Sequence, residues 1–273
     1  MNKIYQVYQV SDSTGETLDR IFLAIKAQFS NFNCKTIHHS FTRTKNQLDN
    51  IIFKSKTEKN IIILYTIVDN NLAKYLTLEA KKNNIPCFEV LGTLISDFSK
   101  LLKQQASRKP SGQHVLDEEY YRRIEAVQFT MRHDDGKIIS DLEKSDIILV
   151  GVSRTSKTPT SIYLANRGYR TSNIPVIPNK NLPEQLIKNL GKTCVVGLVC
   201  DSTRLSDVRR NRVHSMHEDR PGAYINERKI IDELENSKKI FKKYNWPIID
   251  VTRKSVEETA ASVLKIFDIL NSK

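Results

Sequence analysis

Cysteine is too sparse and too scattered in this chain to staple it. Cys34, Cys87, Cys194 and Cys200 form no C-x-x-C pair and join no Cys/His cluster at metal-ligand spacing. That argues against a disulfide framework and a structural zinc site, and leaves four reduced core thiols. No apolar run approaches the length of a membrane span, and Met1-Asn2-Lys3-Ile4-Tyr5-Gln6 has no apolar h-region, so the expected compartment is the cytoplasm, with no membrane contact. Internal repeats and low-complexity tracts are also missing. Acidic residues are in deficit: 31 Asp and Glu against 43 Lys and Arg leave a formal charge of +12, which favours anionic partners such as nucleotides, phosphorylated proteins or nucleic acid. Nucleic acid is the least expected of these, because the aromatics are dispersed and there is neither a basic-aromatic stacking pattern nor a helix-turn-helix signature. The lysine and asparagine runs at 54 to 60 and 81 to 84 read as solvated faces.

What is present is alternation. The 273 residues suffice for a large core. Periodicity predicts strands at 4–10, 61–68 and 87–91 with helices at 16–29 and 72–82, then a loop over 104–113 around Pro110 and Gly112. A helix at 117–131 follows, and then the turn His133-Asp134-Asp135-Gly136. The rest predicts strands at 146–150, 173–177, 194–200 and 247–251, with helices at 161–167, 204–213, 227–244 and 255–270, the last opened by a Ser255-x-x-Glu258 capping box. Such alternation implies an α/β fold of two associated parallel-sheet halves, each sheet covered on both faces. The expected division is an N-terminal α/β domain at 1–105, a connecting loop and helix at 106–140, and a nucleotide-binding α/β domain at 141–273.

The most informative stretch is Gly151-Val152-Ser153-Arg154-Thr155-Ser156-Lys157-Thr158, set between the core strand Asp146 to Val150 and a helix stopped by Gly168. A P-loop has this context. Its backbone N–H groups cradle phosphate oxygens, its lysine (here Lys157) reaches the terminal phosphates, and its hydroxyl (here Thr158) meets a magnesium ion, with the helix N-terminus adding partial positive charge. Ser156 stands where G-x-x-x-x-G-K-[ST] has its second glycine, which implies an altered loop path or local strain. The plainer alternative is a Ser/Thr-rich strand-to-helix turn with a solvated Lys157.

Other segments offer chemistry beside a structural explanation. Ser11-Asp12-Ser13-Thr14-Gly15-Glu16-Thr17 repeats the strand-then-helix arrangement and suits a second anion site, while Ser13-x-x-Glu16 equally suits a capping box. His133-Asp134-Asp135-Gly136 supplies an imidazole and two carboxylates for a general base or a metal-bound acid, or else forms a solvated Asp-Gly turn. Asp201 either supports magnesium at a strand end or caps the next helix. Arg204, Arg209, Arg210, Arg212, His214, His217 and Arg220 form a basic tract suited to bidentate phosphate recognition, or a charged helix face balanced by Asp207, Glu218 and Asp219.

Taken together, Ser11 to Thr17, Tyr121-Arg122-Arg123-Ile124-Glu125-Ala126 leading to His133-Asp134-Asp135-Gly136, Gly151 to Thr160, Trp246-Pro247-Ile248-Ile249-Asp250-Val251-Thr252 and Glu257-Glu258-Thr259-Ala260 resemble the pyruvate, phosphate dikinase regulatory proteins, in order and over nearly the whole chain. In that family serine as well as glycine occurs at the position of Ser156. The resemblance implies a bifunctional enzyme. Such an enzyme transfers the β-phosphate of ADP to a threonine beside the dikinase's catalytic histidine, releasing AMP, and uses inorganic phosphate to remove the phosphoryl group as pyrophosphate. A sister branch acts on phosphoenolpyruvate synthase. The family's nucleotide loop carries over onto Gly151 to Thr158. In this reading Lys157 and the loop amides neutralise phosphoryl charge, Thr158 meets magnesium or phosphate, and Asp135 or Asp12 takes the threonine proton. A homodimer is compatible with the sequence. A P-loop kinase of small metabolites and a nucleic-acid-binding regulator are the rival readings.

Overall fold

The computed structural model describes residues 3–112, 116–187, 193–216 and 222–272. Internal contacts divide the chain into two units, Met1–Val115 and Leu116–Lys273. The first contains β1 (Tyr5–Ser11), α1 (Glu16–Lys26), β2 (Cys34–His39), α2 (Lys45–Thr57), β3 (Ile61–Thr66), α3 (Asn70–Lys82), β4 (Cys87–Glu89) and α4 (Gly92–Leu102). Its strands pair in parallel in the order β2-β1-β3-β4. Alternation along the strands sends Tyr8, Val10, Ile63 and Tyr65 into one core with Leu48, Ile51 and Leu76 from α2 and α3, while Val7 and Leu64 join Leu18 and Phe22 of α1 on the other face.

The second unit contains α5 (Glu118–Arg132), β5 (Ile147–Gly151), α6 (Lys157–Ala165), β6 (Thr171–Pro175), α7 (Glu184–Ile187), β7 (Cys194–Val199), α8 (Ser202–Met216), α9 (Glu227–Lys243), β8 (Ile248–Asp250) and α10 (Val256–Asn271). Its parallel order is β6-β5-β7-β8. Every residue of β5 and β7 is buried, as expected of apolar strands covered on both faces. α5 packs against α6 and β6 within this unit, and the Thr171 N–H donates to Thr130 Oγ1 at 3.0 Å.

Each sheet therefore begins on an interior strand, with the next strand on one side and the third on the other. The crevice at the carboxyl end of such a switch strand is where open α/β sheets bind ligands. β1 ends there at Ser11 and β5 at Gly151, so both loops singled out in the sequence leave a switch strand.

Several elements depart from expectation. α6 starts at Lys157, earlier than 161, and Gly168 with φ 86 ends the turn after it. β2, α2, α4 and α7 have no counterpart in the periodicity reading. The Ser255 capping box is present in full. The Ser13 box is not: Gly15 is the N-cap of α1, at φ 90 with no side-chain cap, because the chain turns into the helix through a left-handed residue that only glycine adopts freely.

Candidate functional site

Gly151 must be glycine, since a Cβ there would lie 2.7 Å from both the Leu198 carbonyl oxygen and Thr155 Oγ1. The chain then climbs off β5 and reverses through two left-handed residues, Arg154 at φ 72 and Ser156 at φ 59. Ser156 thus occupies the backbone conformation that a glycine would supply, and the loop path is kept at the cost of local strain.

Within this turn, carbonyls are held by side chains. Val152 O accepts from Lys157 Nζ at 3.0 Å and from Thr155 Oγ1 at 2.9 Å, and Ser153 O accepts from Arg209 Nη2 at 3.3 Å. In a planar trans peptide the N–H points opposite to the C=O, so the N–H groups of Ser153 and Arg154 turn away from those donors. Lys157 itself is buried, at 6 % exposure. Burial pushes its ammonium down to about 8, against the pull of Asp135 and Asp134 and with a further push from Arg209 and Arg154. A cation so placed, with a neutral carbonyl as acceptor, is in a site suited to an anion.

The acids that face it come from the turn after α5. His133 is not an available base: it is buried, stacked on Phe129 at 3.8 Å, and its ring nitrogens contact Phe129 O at 2.8 Å and Asp141 Oδ1 at 2.7 Å. That contact holds the Asp141 carboxyl below the usual range. The turn is anchored as well as exposed. Asp134 accepts from Thr158 Oγ1 at 2.9 Å and from the Asn173 amide, and Asn173 Oδ1 accepts from the Asp135 N–H at 2.8 Å. Asp135 sits at φ 55 with its side chain in solvent. The structure therefore brings Asp134, Asp135, Thr158 and Lys157 together. Asn173, buried in β6, is the organising residue that periodicity missed; a lone asparagine inside a core strand was its only trace.

Two further expectations resolve. Asp201 caps α8, accepting from the N–H groups of Thr203 at 2.9 Å and Arg204 at 3.2 Å. The basic tract splits. Arg204, Arg210, Arg212 and His214 are exposed on α8, whereas Arg209 is 1 % exposed and faces the loop. His217, Glu218, Asp219 and Arg220 lie outside the described residues.

Asp12 belongs to the first unit, where it is buried at the end of β1 with Oδ2 accepting from the Val68 N–H at 2.7 Å. Desolvation raises its carboxyl above the usual value. Around it lies a cleft of about 200 Å³ lined by Ser11, Ser13, Gly15, Thr66, Lys109 and Ser111. Ser111 Oγ donates to Ser13 Oγ at 3.0 Å, and Arg43 spans from the Asp12 carbonyl at 2.8 Å to Ser111 Oγ at 3.1 Å.

Among the described residues no group of three or more His, Cys, Asp or Glu is arranged to hold a metal, and no helix is long and apolar enough to cross a membrane. A family model for kinase/pyrophosphorylase proteins matches residues 7–264. A protein of Pelagibacter ubique (strain HTCC1062), provisionally named a pyruvate, phosphate dikinase regulatory protein, is 58% identical over 269 residues, covering 98% of both chains. Relatives with the same provisional name in Chelativorans sp. (strain BNC1) and Sphingopyxis alaskensis are 44% and 42% identical, each covering 96% of both chains. A match over nearly the whole chain, with the strand, loop and acidic turn in place, means that this protein belongs to the kinase/pyrophosphorylase family.

Proposed function

We propose that this chain regulates pyruvate, phosphate dikinase in both directions. It would transfer the β-phosphoryl group of ADP to a threonine near the dikinase's catalytic histidine, and use inorganic phosphate to remove it. The observation that carries this reading is Lys157, a buried cation at the switch strand with Asp134 and Asp135 beside it. In the forward reaction the threonine oxygen bonds to the β-phosphorus, the bond from that phosphorus to the bridging oxygen breaks, and AMP leaves with the electron pair. Asp135 takes the hydroxyl proton. In the reverse reaction a phosphate oxygen attacks the threonyl phosphorus, the threonine oxygen leaves and is protonated from Asp135, and pyrophosphate forms. Lys157 and the loop amides carry the charge on the transferring oxygens, and positioning and electrostatics supply the catalysis.

Where magnesium accompanies the nucleotide, the Asp134 carboxylate and Thr158 hydroxyl are hard oxygen donors of the right class to hold it. The cytoplasm is the compartment we assign to this reaction. The test is to incubate the purified protein with ADP and, separately, with pyruvate, phosphate dikinase and with phosphoenolpyruvate synthase, then map the modified residue by mass spectrometry. AMP release with phosphothreonine on the dikinase is expected. Transfer only to the synthase, or transfer that needs ATP, would overturn the assignment.

A further inference from the structure

We infer that Arg209 is a positioning residue for the phosphate-binding loop, its guanidinium fixing the Ser153 carbonyl so that the Arg154 N–H is presented to the bound phosphoryl group. This rests on the reading that Gly151 to Thr158 receives the phosphates of ADP.

Arg209 stands apart from the other arginines of its helix. It is almost wholly enclosed, at 1 % exposure, and an arginine cannot shed its charge to relieve the cost of burial. The enclosing groups define a single orientation. Nη2 pairs with Glu233 Oε2 of α9 at 2.7 Å, Nη1 donates to the Tyr224 carbonyl at 3.0 Å, and the guanidinium carbon lies 4.6 Å from the centre of the Tyr224 ring. The planar fork so held reaches Ser153 O at 3.3 Å. Tyr224 grips the same residue from its other side, with its hydroxyl 3.1 Å from Ser153 Oγ. Ser153 is thus clamped through carbonyl and hydroxyl by one assembly from α8, α9 and the 222–225 turn.

The consequence follows from peptide geometry. Turning Ser153 O onto Arg209 turns the N–H of the same peptide the opposite way, next to the left-handed Arg154, and successive N–H groups in such a reversal form an anion-binding concavity. Lysine could not replace this function, because a point ammonium cannot hold a carboxylate, two carbonyls and a ring face at fixed angles. Arg209 also adds a second positive charge near Lys157, whose other charged neighbours are Asp134 and Asp135 from the turn after α5 and Arg154 from the loop. Its Nε is buried with no hydrogen-bond partner among the described residues.

The test is ADP affinity by calorimetry across about pH 6 to 9.5, with melting curves in parallel, for the wild type, Arg209→Gln, Arg209→Lys and Glu233→Gln. Arg209→Gln is expected to bind ADP about 30-fold more weakly at neutral pH, the range of lost charge-assisted hydrogen bonds. The pH at which its affinity falls should move up, because Lys157 loses a cationic neighbour and stays protonated longer. Arg209→Lys keeps the charge and loses the fork, so affinity should stay low with the pH midpoint of the wild type. Glu233→Gln should weaken binding without an upward move. Wild-type affinity in Arg209→Lys, or losses in all three variants that only follow their melting temperatures with no change of pH midpoint, would overturn the inference. A wild type that fails to bind ADP sinks the nucleotide reading itself, which is a different result. Should Arg209→Gln not fold, the Lys and Glu233 variants still decide.

Discussion

At pH 7 the Lys157 ammonium is enclosed and donates to the Val152 carbonyl, an acceptor that cannot match its charge. Its pKa is lowered from 10.5 to about 8, so between those values the folded state binds fewer protons than the unfolded one, and stability rises with pH through that window. Below about 8 the full cost is present, on the order of 3 kcal/mol. Lys157→Met is therefore expected to melt a few degrees higher than wild type at pH 7, to lose that advantage above about pH 10.5, and to lose ADP binding. Melting curves at the two pH values with calorimetry check this, and a variant less stable at pH 7 would contradict it. Ser156 contributes strain of a different kind. A side chain at φ 59 costs about 1–2 kcal/mol, partly offset in glycine by chain entropy, so Ser156→Gly should gain about 0.5 kcal/mol in denaturant melts and keep its activity.

The turn after α5 is an element whose placement rests on one strand residue. Asn173 holds both the Asp134 carboxylate and the Asp135 N–H, so Asn173→Ala removes the side-chain tether of the acids to β6 and leaves only the backbone N–H of residue 173 on the His133 carbonyl at 3.2 Å. A loss of about 2 kcal/mol in stability is expected from the buried partners left unpaired, together with a fall in both transfer directions. Unchanged initial rates in a destabilised variant would show that the tether is structural only. This dependence was not legible in the sequence, because one asparagine inside a strand carries no period. The central strands were legible, since β3, β5 and β7 are runs of buried aliphatics. β2 was not, because it lies at an edge with only partly buried or exposed side chains. α2 hides four buried residues, Leu48, Ile51, Ile52 and Ser55, among lysines and asparagines. α4 carries a helical period, with Leu94, Ile95, Phe98, Leu101 and Leu102 on one stripe, and was overlooked although none of its residues is buried. The loop at 151 was legible as a pattern, yet Arg209, read with its neighbours as one basic tract for phosphate recognition or a charged helix face, is separated from them only by the three-dimensional path of α8.

Two sheets of the same strand order, each with a hydroxyl-bearing loop at its switch strand, raise the question of how many phosphate sites the molecule uses. In the proposed reactions AMP and inorganic phosphate would each present a phosphate oxygen in line with the threonyl phosphorus, so one cradle could serve both directions. On that basis AMP and ADP should inhibit phosphorolysis competitively with inorganic phosphate, and Lys157→Ala should abolish both activities in a folded protein. The first-unit cleft tests the alternative, since its roughly 200 Å³ with Ser13 and Lys109 on the wall accommodates a phosphate ion. Asp12 and Glu16 also line it, however, and offset Lys109 and the neighbouring Arg43, whereas around Lys157 the cations Arg209 and Arg154 add to the lysine against Asp134 and Asp135. The expected result for Ser13→Ala with Thr14→Ala is therefore an unchanged ratio of the two initial rates. A selective loss of phosphate-dependent removal in that double variant, with the ADP reaction intact, would move the inorganic phosphate site to the loop at residue 11 and refute the shared cradle.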